Sequence, residues 1–553
     1  MRFAGALVAL ICGALPCPAQ APAGAPTPKP TGHFGPQVAA GETATARFIV
    51  PLYERFDKQA AMGVVRFVDG FYRAPGNAGY NAALDHVRAL LEQGGFGKQP
   101  GFELEEILSP MSSPAWTPVS GRLSVQIPDA EEIVLHDFDT PGDPDRVMLP
   151  IYARSADVEG TLLVDEDGVI EGDHDLAGII VVSSASLSGR VLKRLEGRGV
   201  LAAISCSNAS FTVDPNGGEE HLDAIQFRSV SPSTRLPVAQ ISRRSYNRLQ
   251  ELHEKHPAAR LHLQAEVVLD ENAQVRTLVA RVIGAERPGE ALCVVAHVQE
   301  PGAGDNASGV GGMCQGALTL SRLIRTQQLA RPARTIEFVF GDEMRQSAVW
   351  LEHTSRKVIA GISADMLGQS ESRTGARCLL ERSPDPGALD PILPDEHTPW
   401  GAGRVEKDDL LPNGLALIAR HALIDMGEHV EGWHTSENPW EGGSDHDIFL
   451  KRGIPGILLW HFTDFTYHTG LDRMERLDAE ELRRTCAAIL ATTMALADLR
   501  RGDLVRLQAS NVLERELRVK VALQAARPDV AKRWREWSRG VELWLANSVV
   551  DPE

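Results

Sequence analysis

Cysteine is sparse and never closely paired: seven Cys stand in 553 residues, with no C-x-x-C spacing. That excludes thiolate zinc sites and dense disulfide frameworks. Cys12 and Cys17 lie within the first 19 residues, and Cys206, Cys293, Cys314, Cys378 and Cys486 read as buried small hydrophobes. Positive charge is in deficit, 56 Lys+Arg against 74 Asp+Glu for a net −18, which argues against a nucleic-acid partner. No apolar run reaches the roughly 20 residues needed to span a bilayer. The chain also lacks an internal repeat and a G-x-S-x-G nucleophile elbow. What remains is 43% hydrophobic and 24% charged, the composition of a soluble globular chain of two or three domains.

The start of the chain reads as an export signal. Met1 and Arg2 precede the apolar run 3–15, which breaks at Pro16-Cys17-Pro18-Ala19-Gln20. The run is too short for an anchor and has the layout of a secretory signal peptide cut after Ala19. The expected organisation is a signal peptide at 1–19 and a Pro/Gly-rich leader at 20–42. The mature protein is then expected outside the cytoplasm, periplasmic or secreted.

Residues 43–107 show helical apolar spacing, interrupted at Arg73-Ala74-Pro75-Gly76-Asn77 before a helix over 80–91. From 108 to 249 the texture becomes β-like. Short runs at 123–127, 147–151, 178–182 and 201–204 are separated by Gly, Asp and Pro, which predicts an inserted β-rich module. From 250 to 499 the main domain follows, and from 276 strands and helices alternate, the pattern of a mostly parallel sheet flanked by helices. Its strands are expected at 277–283, 291–297, 335–340, 358–365 and 455–460. The stretch 479–499 reads as a strongly amphipathic helix, and 500–553 as a helical extension.

In open α/β sheets the site lies at the carboxyl ends of the strands. Those ends carry His297, then Asp305 opening a helix; Gly341-Asp342-Glu343; Asp365; and Tyr467-His468-Thr469. Imidazole and carboxylate without thiolate is the ligand set of a catalytic zinc or two-zinc centre, because such donors leave positions open for water. Taken singly, each is as well explained as a cap or a solvated turn. Four strand ends that together offer five hard ligands are not.

The order His297, Asp305, Asp342-Glu343, Asp365, Gly442-Gly443-Ser444-Asp445-His446 and Tyr467-His468-Thr469 resembles the two-zinc exopeptidase family. That family includes secreted aminopeptidases, glutamate carboxypeptidase and the single-zinc glutaminyl cyclases. The 108–249 module resembles the protease-associated domain inserted in many relatives. The resemblance implies that His297 and Asp365 bind one Zn2+, that Glu343 and His468 bind the other, and that Asp305 bridges. It places Asp342 as the general base acting on a metal-bridging water, and Tyr467 as a hydroxyl donor to the oxyanion. Ser444, Asp445 and His446 are expected to line the substrate side. Trp433, His434, Glu437, Trp440 and Glu441 read either as ordinary loop packing or as a specificity pocket with a glutamate for a substrate ammonium.

Two departures stand out. The family has His-x-Asp where this chain has His297-Val298-Gln299, so a supporting carboxylate becomes a neutral amide. Asp342 stands where the family has a longer glutamate. The leading expectation is an exported zinc exopeptidase acting on peptides as an aminopeptidase. A single-zinc acyltransferase of the glutaminyl-cyclase kind and a non-catalytic binding protein stand beside it as alternatives.

Overall fold

The computed structural model describes residues 32–140, 142–165 and 175–551; the expected signal peptide lies outside them. A nine-stranded sheet runs in the order His33–Phe34, Thr435–Asn438, Arg377–Glu381, Gly456–Phe462, Lys357–Ala364, Arg287–His297, Arg334–Gly341, Gln274–Val282 and Phe102–Pro110. Its middle is parallel: Gly456–Phe462, Lys357–Ala364, Arg287–His297 and Arg334–Gly341 all run the same way. Such strands are covered on both faces, which is why Leu292-Cys293-Val294-Val295-Ala296 is apolar without alternation and fully buried. Gln274–Val282 and Phe102–Pro110 extend the sheet antiparallel. The parallel strands therefore deliver His297, Gly341 and Ala364, each followed by polar residues, to one edge.

Helices Ala307–Arg325 and Ala479–Ala497 fill the layer beneath this sheet. The second is not the strongly amphipathic helix expected: every residue from Thr485 to Ala497 is buried, covered by Ala46–Arg55, Leu415–His429 and Ala307–Arg325. Its buried threonines are satisfied locally, Thr492 and Thr493 donating to the carbonyls of Ala488 and Ile489 at 2.8 Å. Helices Lys58–Asp69 and Ala307–Arg325 meet at Gly311, where a Cβ would lie 2.8 Å from the Ala61 carbonyl oxygen.

A second, seven-stranded sheet runs Ile133–Phe138, Ala115–Gln126, Arg260–Asp270, Ala156–Asp165, Ile179–Ser183, Ala202–Ser205 and Val238–Gln240. This sheet reaches further along the chain than the expected 108–249 module. Strand Arg260–Asp270 pairs along the whole of Ala115–Gln126, and helix Arg243–Lys255 buries Tyr246, Leu249 and Leu252 in the module's core. At the other end, residues 108–110 belong to the first sheet. Residues 147–151 do not form a strand either. Pro144–Met148 is a 3-10 turn, started by the Asp143 carboxylate accepting from the Asp145 amide at 2.8 Å, so turn chemistry overrides the apolar run. The last residues of the expected leader also join the fold, because His33 and Phe34 pair with Thr435 and Ser436.

The C-terminal helices Leu504–Gln524 and Pro528–Asn547 pack together and against Leu415–His429. Their anchor is ionic. Arg420 is 1% exposed and donates to Glu437 at 2.9 and 3.0 Å and to Glu514 at 2.9 and 3.1 Å. Arg382 joins Glu437 to Asp385 and Asp395, and Arg518 contacts Asp395 while lying over the Trp534 ring. Buried charges survive only when paired in this way.

Candidate metal centre

His297 ends its strand with Nδ1 against the Gln299 carbonyl. A carbonyl only accepts, so Nδ1 holds the proton and Nε2 presents a lone pair. That Nε2 lies 3.1 Å from Asp365 Oδ1, 3.3 Å from Asp305 Oδ1 and 3.9 Å from Glu343 Oε1. Across the cluster, His468 Nε2 lies 3.0 Å from Asp305 Oδ2 and 2.7 Å from Glu300 Oε2. Asp305 thus turns one oxygen to each imidazole. His297 Nε2, Asp305 Oδ1, Asp365 Oδ1 and Glu300 Oε2 are buried without a hydrogen-bond partner, which is costly unless a cation answers them.

The sequence explains how each group is held. Asp472 clamps the Asp305 loop by accepting from Gly304 N at 2.7 Å and Asp305 N at 2.8 Å. Asn306 caps helix Ala307–Arg325 and also accepts from Met366 N at 3.1 Å, tying the helix start to the turn after Asp365. Ser444 Oγ donates to Asp365 Oδ2 at 2.9 Å. Gln299 Oε1 accepts from Glu343 N at 2.7 Å, so the residue that departs from His-x-Asp holds the next ligand's backbone. Asp445 accepts from Met344 N at 3.0 Å, Ser347 Oγ at 2.6 Å and Gln346 Nε2 at 2.8 Å. It steadies the Asp342–Glu343 turn, where Met344 sits at φ +61.

The electrostatics describe an excess of negative charge. Burial works against charge on both imidazoles, yet Asp365 and Glu343 raise His297, and Glu300 and Asp305 raise His468, well above the ordinary range. Asp365 and Glu300, despite burial, are held low by His297 and His468 respectively. At the other two, burial outweighs the imidazoles' pull. Burial pushes Asp305 up to about 6 and Glu343 well above its ordinary value. Burial also lifts Asp342 to about 7, against the pull of Arg345. Tyr467 stacks on the His468 ring at 3.8 Å; burial and then Asp305 keep its phenol protonated.

The five expected ligands therefore converge, but their grouping differs from the one the resemblance implied. Glu343 gathers with His297 and Asp365, while Glu300 gathers with Asp305 and His468. Sequence reasoning passed over Glu300; the only local signal was a carboxylate three residues after His297. Ser444, Asp445 and His446 do not line a substrate surface. They are 3%, 0% and 0% exposed, and His446 is bonded to Glu381 at 2.9 Å, so GGSDH supports the cluster from behind. Of the two readings of the Trp433–Glu441 stretch, packing describes its glutamates: Glu437 is locked in the arginine network, and Glu441 accepts from Thr398 N at 2.6 Å and Oγ1 at 2.7 Å.

The sequence model of Peptidase family M28 matches residues 412–493, the segment holding Gly442–His446 and His468. The chain shares its fold with a zinc aminopeptidase from Bacillus subtilis, at 16% identity and a TM-score of 0.52 over 79% of this chain and 94% of that one. One segment of this chain thus matches the M28 peptidase model, within a fold shared with a zinc aminopeptidase. A peptidase M28 precursor from Shewanella amazonensis SB2B matches at 16% identity and TM-score 0.54, covering 82% of this chain and 96% of its own. A putative peptidase from Clostridium acetobutylicum matches at 12% identity and TM-score 0.50, covering 91% and 97%. No curated protein matches by sequence. The matched segment leaves out both departures, Gln299 and Asp342, along with the first four expected ligands.

Proposed function

We propose that the chain is an exported zinc-dependent exopeptidase, acting on peptides as an aminopeptidase. The observation that carries this is the cluster itself: two imidazoles and four carboxylates with orphaned buried donor atoms, at the strand ends of an M28-type fold. The donor set fits two divalent ions, with His297 and His468 facing opposite oxygens of Asp305. Bound there, zinc would supply Lewis acidity toward the scissile carbonyl and toward water. Asp342, in the turn before Glu343, would take the attacking water's proton and return it to the leaving amine. The Tyr467 hydroxyl, kept protonated, is available to the oxyanion. The apolar run after Arg2 supports export, and the fold shared with an aminopeptidase supports amino-terminal trimming.

The test is hydrolysis of a defined peptide mixture followed by mass spectrometry. Stepwise loss from the amino end, abolished by chelator and restored by zinc, is expected. Asp342→Asn should lower kcat by about 10²–10⁴-fold while zinc content stays unchanged. Trimming indifferent to chelator, or full activity in Asp342→Asn, rejects the reading.

A further inference from the structure

The metallopeptidase reading leaves one partly buried carboxylate without a role. Glu300 stands in the loop between His297 and Asp305, its buried Oε2 2.7 Å from His468 Nε2 and bonded to no other donor. We propose that Glu300 is a direct ligand of the metal ion on the His468 side, in the place that family resemblance gives to Glu343. This inference rests on the zinc reading above and refines which residues hold each ion.

Three observations carry it. The first is grouping: Glu300, Asp305 and His468 offer atoms within 4.8 Å of one another, and His297, Glu343 and Asp365 do the same. The ion on the His468 side thereby has three protein ligands, Glu300, Asp305 and His468, the usual number where a coordination position must stay open. The second is spacing. Donors about 2.0–2.2 Å from one tetrahedral ion lie about 3.3 Å apart. The separations of His468 Nε2 from Asp305 and Glu300, 3.0 and 2.7 Å, are close to that and need only slight opening.

The third is how firmly the Glu300 loop is held. Arg73 is fully buried and donates to the carbonyls of Val298 and Gly302 at 2.7 Å each, and to Val68 at 2.8 Å. Arg146, equally buried, bonds the Pro301 carbonyl and the Asp69 carbonyl. Gly302 has no room for a side chain: a Cβ would stand 2.0 Å from Asp472 Oδ2 and 2.6 Å from the Asp305 carbonyl oxygen. Carbonyls on both sides of Glu300 are thus fixed by buried guanidiniums, the preorganisation that a ligand position requires. A solvated loop glutamate would need none of it. With Glu300 the cluster holds four carboxylates, which two divalent cations neutralise.

The test reads metal rather than activity. The full chain is stripped with chelator, reloaded with zinc alone, desalted and assayed for bound zinc, and the loading is followed by calorimetric titration. Wild type should retain two zinc ions, and Glu300→Gln one, with the affinity for the lost ion reduced 10–100-fold. Glu343→Gln should lose the other ion, so the double variant should retain none. Glu300→Asp, which keeps the charge but shortens the reach, should fall between wild type and Glu300→Gln, and it carries the test if the glutamine variant does not fold. Two zinc ions at wild-type affinity in Glu300→Gln, or loss of the same single ion in both single variants and the double, overturns the assignment. Wild-type protein that retains no zinc overturns the metallopeptidase reading itself, whatever the variants do.

Discussion

Replacing Arg420 by methionine removes the central cation of the network joining the C-terminal helices to the sheet edge. It deletes four charge-assisted hydrogen bonds, two to Glu437 and two to Glu514. At about 1.5–3 kcal/mol each the gross loss is large, but the carboxylates keep other partners. Glu437 retains Arg382 at 3.1 Å and Arg518 at 3.7 Å, and Glu514 retains Arg518 at 3.6 Å. The net cost should therefore be that of removing one partner from a buried pair, about 3–5 kcal/mol. An unfolding entropy of about 2.1 cal/mol/K per residue over roughly 500 residues converts each kcal/mol into about 1 °C. Arg420→Met should accordingly lower Tm by about 3–5 °C. Glu514→Met alone should cost less, and the double variant should recover part of the loss, since no carboxylate of Glu514 is then left facing an absent cation. The assay is a double-mutant cycle in thermal unfolding. A coupling of about 2 kcal/mol or more is expected, and additivity to within about 0.5 kcal/mol would refute the idea that these helices are held through Arg420.

Two further predictions follow from side chains near these features. Ser444→Ala removes the hydroxyl that orients Asp365 Oδ2 and should weaken zinc binding or activity about 10–100-fold without changing the fold, read by metal content and circular dichroism. His421 is 0% exposed and bonded to Ser510 Oγ at 2.9 Å; burial, reinforced by Arg420, lowers its pKa from 6.5 to about 3. The unfolded chain then binds the proton first, so the stability present above pH 6.5 drains away as pH falls toward about 3. His421→Gln should flatten that acid limb by up to about 1.36 kcal/mol per pH unit between those values, measured as Tm against pH.

Much of this site was legible in the sequence because strands deliver side chains to an edge in a fixed way. His297, Asp365 and the Asp342–Glu343 pair each follow an apolar run, and the apolar run is what fixes where a parallel strand ends. Glu300 was not legible, because it sits in a loop whose path is set by Arg73 and Arg146 from distant segments. Ser444, Asp445 and His446 were placed on the wrong side of the ligands for a similar reason. A polar residue that supports a ligand and one that touches substrate look alike in sequence; burial alone separates them. The C-terminal helices read as ordinary charged surface, since nothing local reveals that Glu514 and Arg518 find Arg420 and Asp395 across the fold. The module's far boundary was misplaced because Arg260–Asp270 pairs with a strand far back in the chain, a register no local pattern announces.

His468 is the last ligand in the chain, and its backbone carbonyl is claimed by the other sheet's module: Phe227 N donates to it at 2.6 Å and Gln226 Nε2 at 2.8 Å, while the Phe227 ring meets the His468 ring edge-on at 5.7 Å. The module is thus not detachable from the cluster. Any swing that lifts it must first release the His468 main chain, so the module's position and that of the His468 ring move as one coordinate.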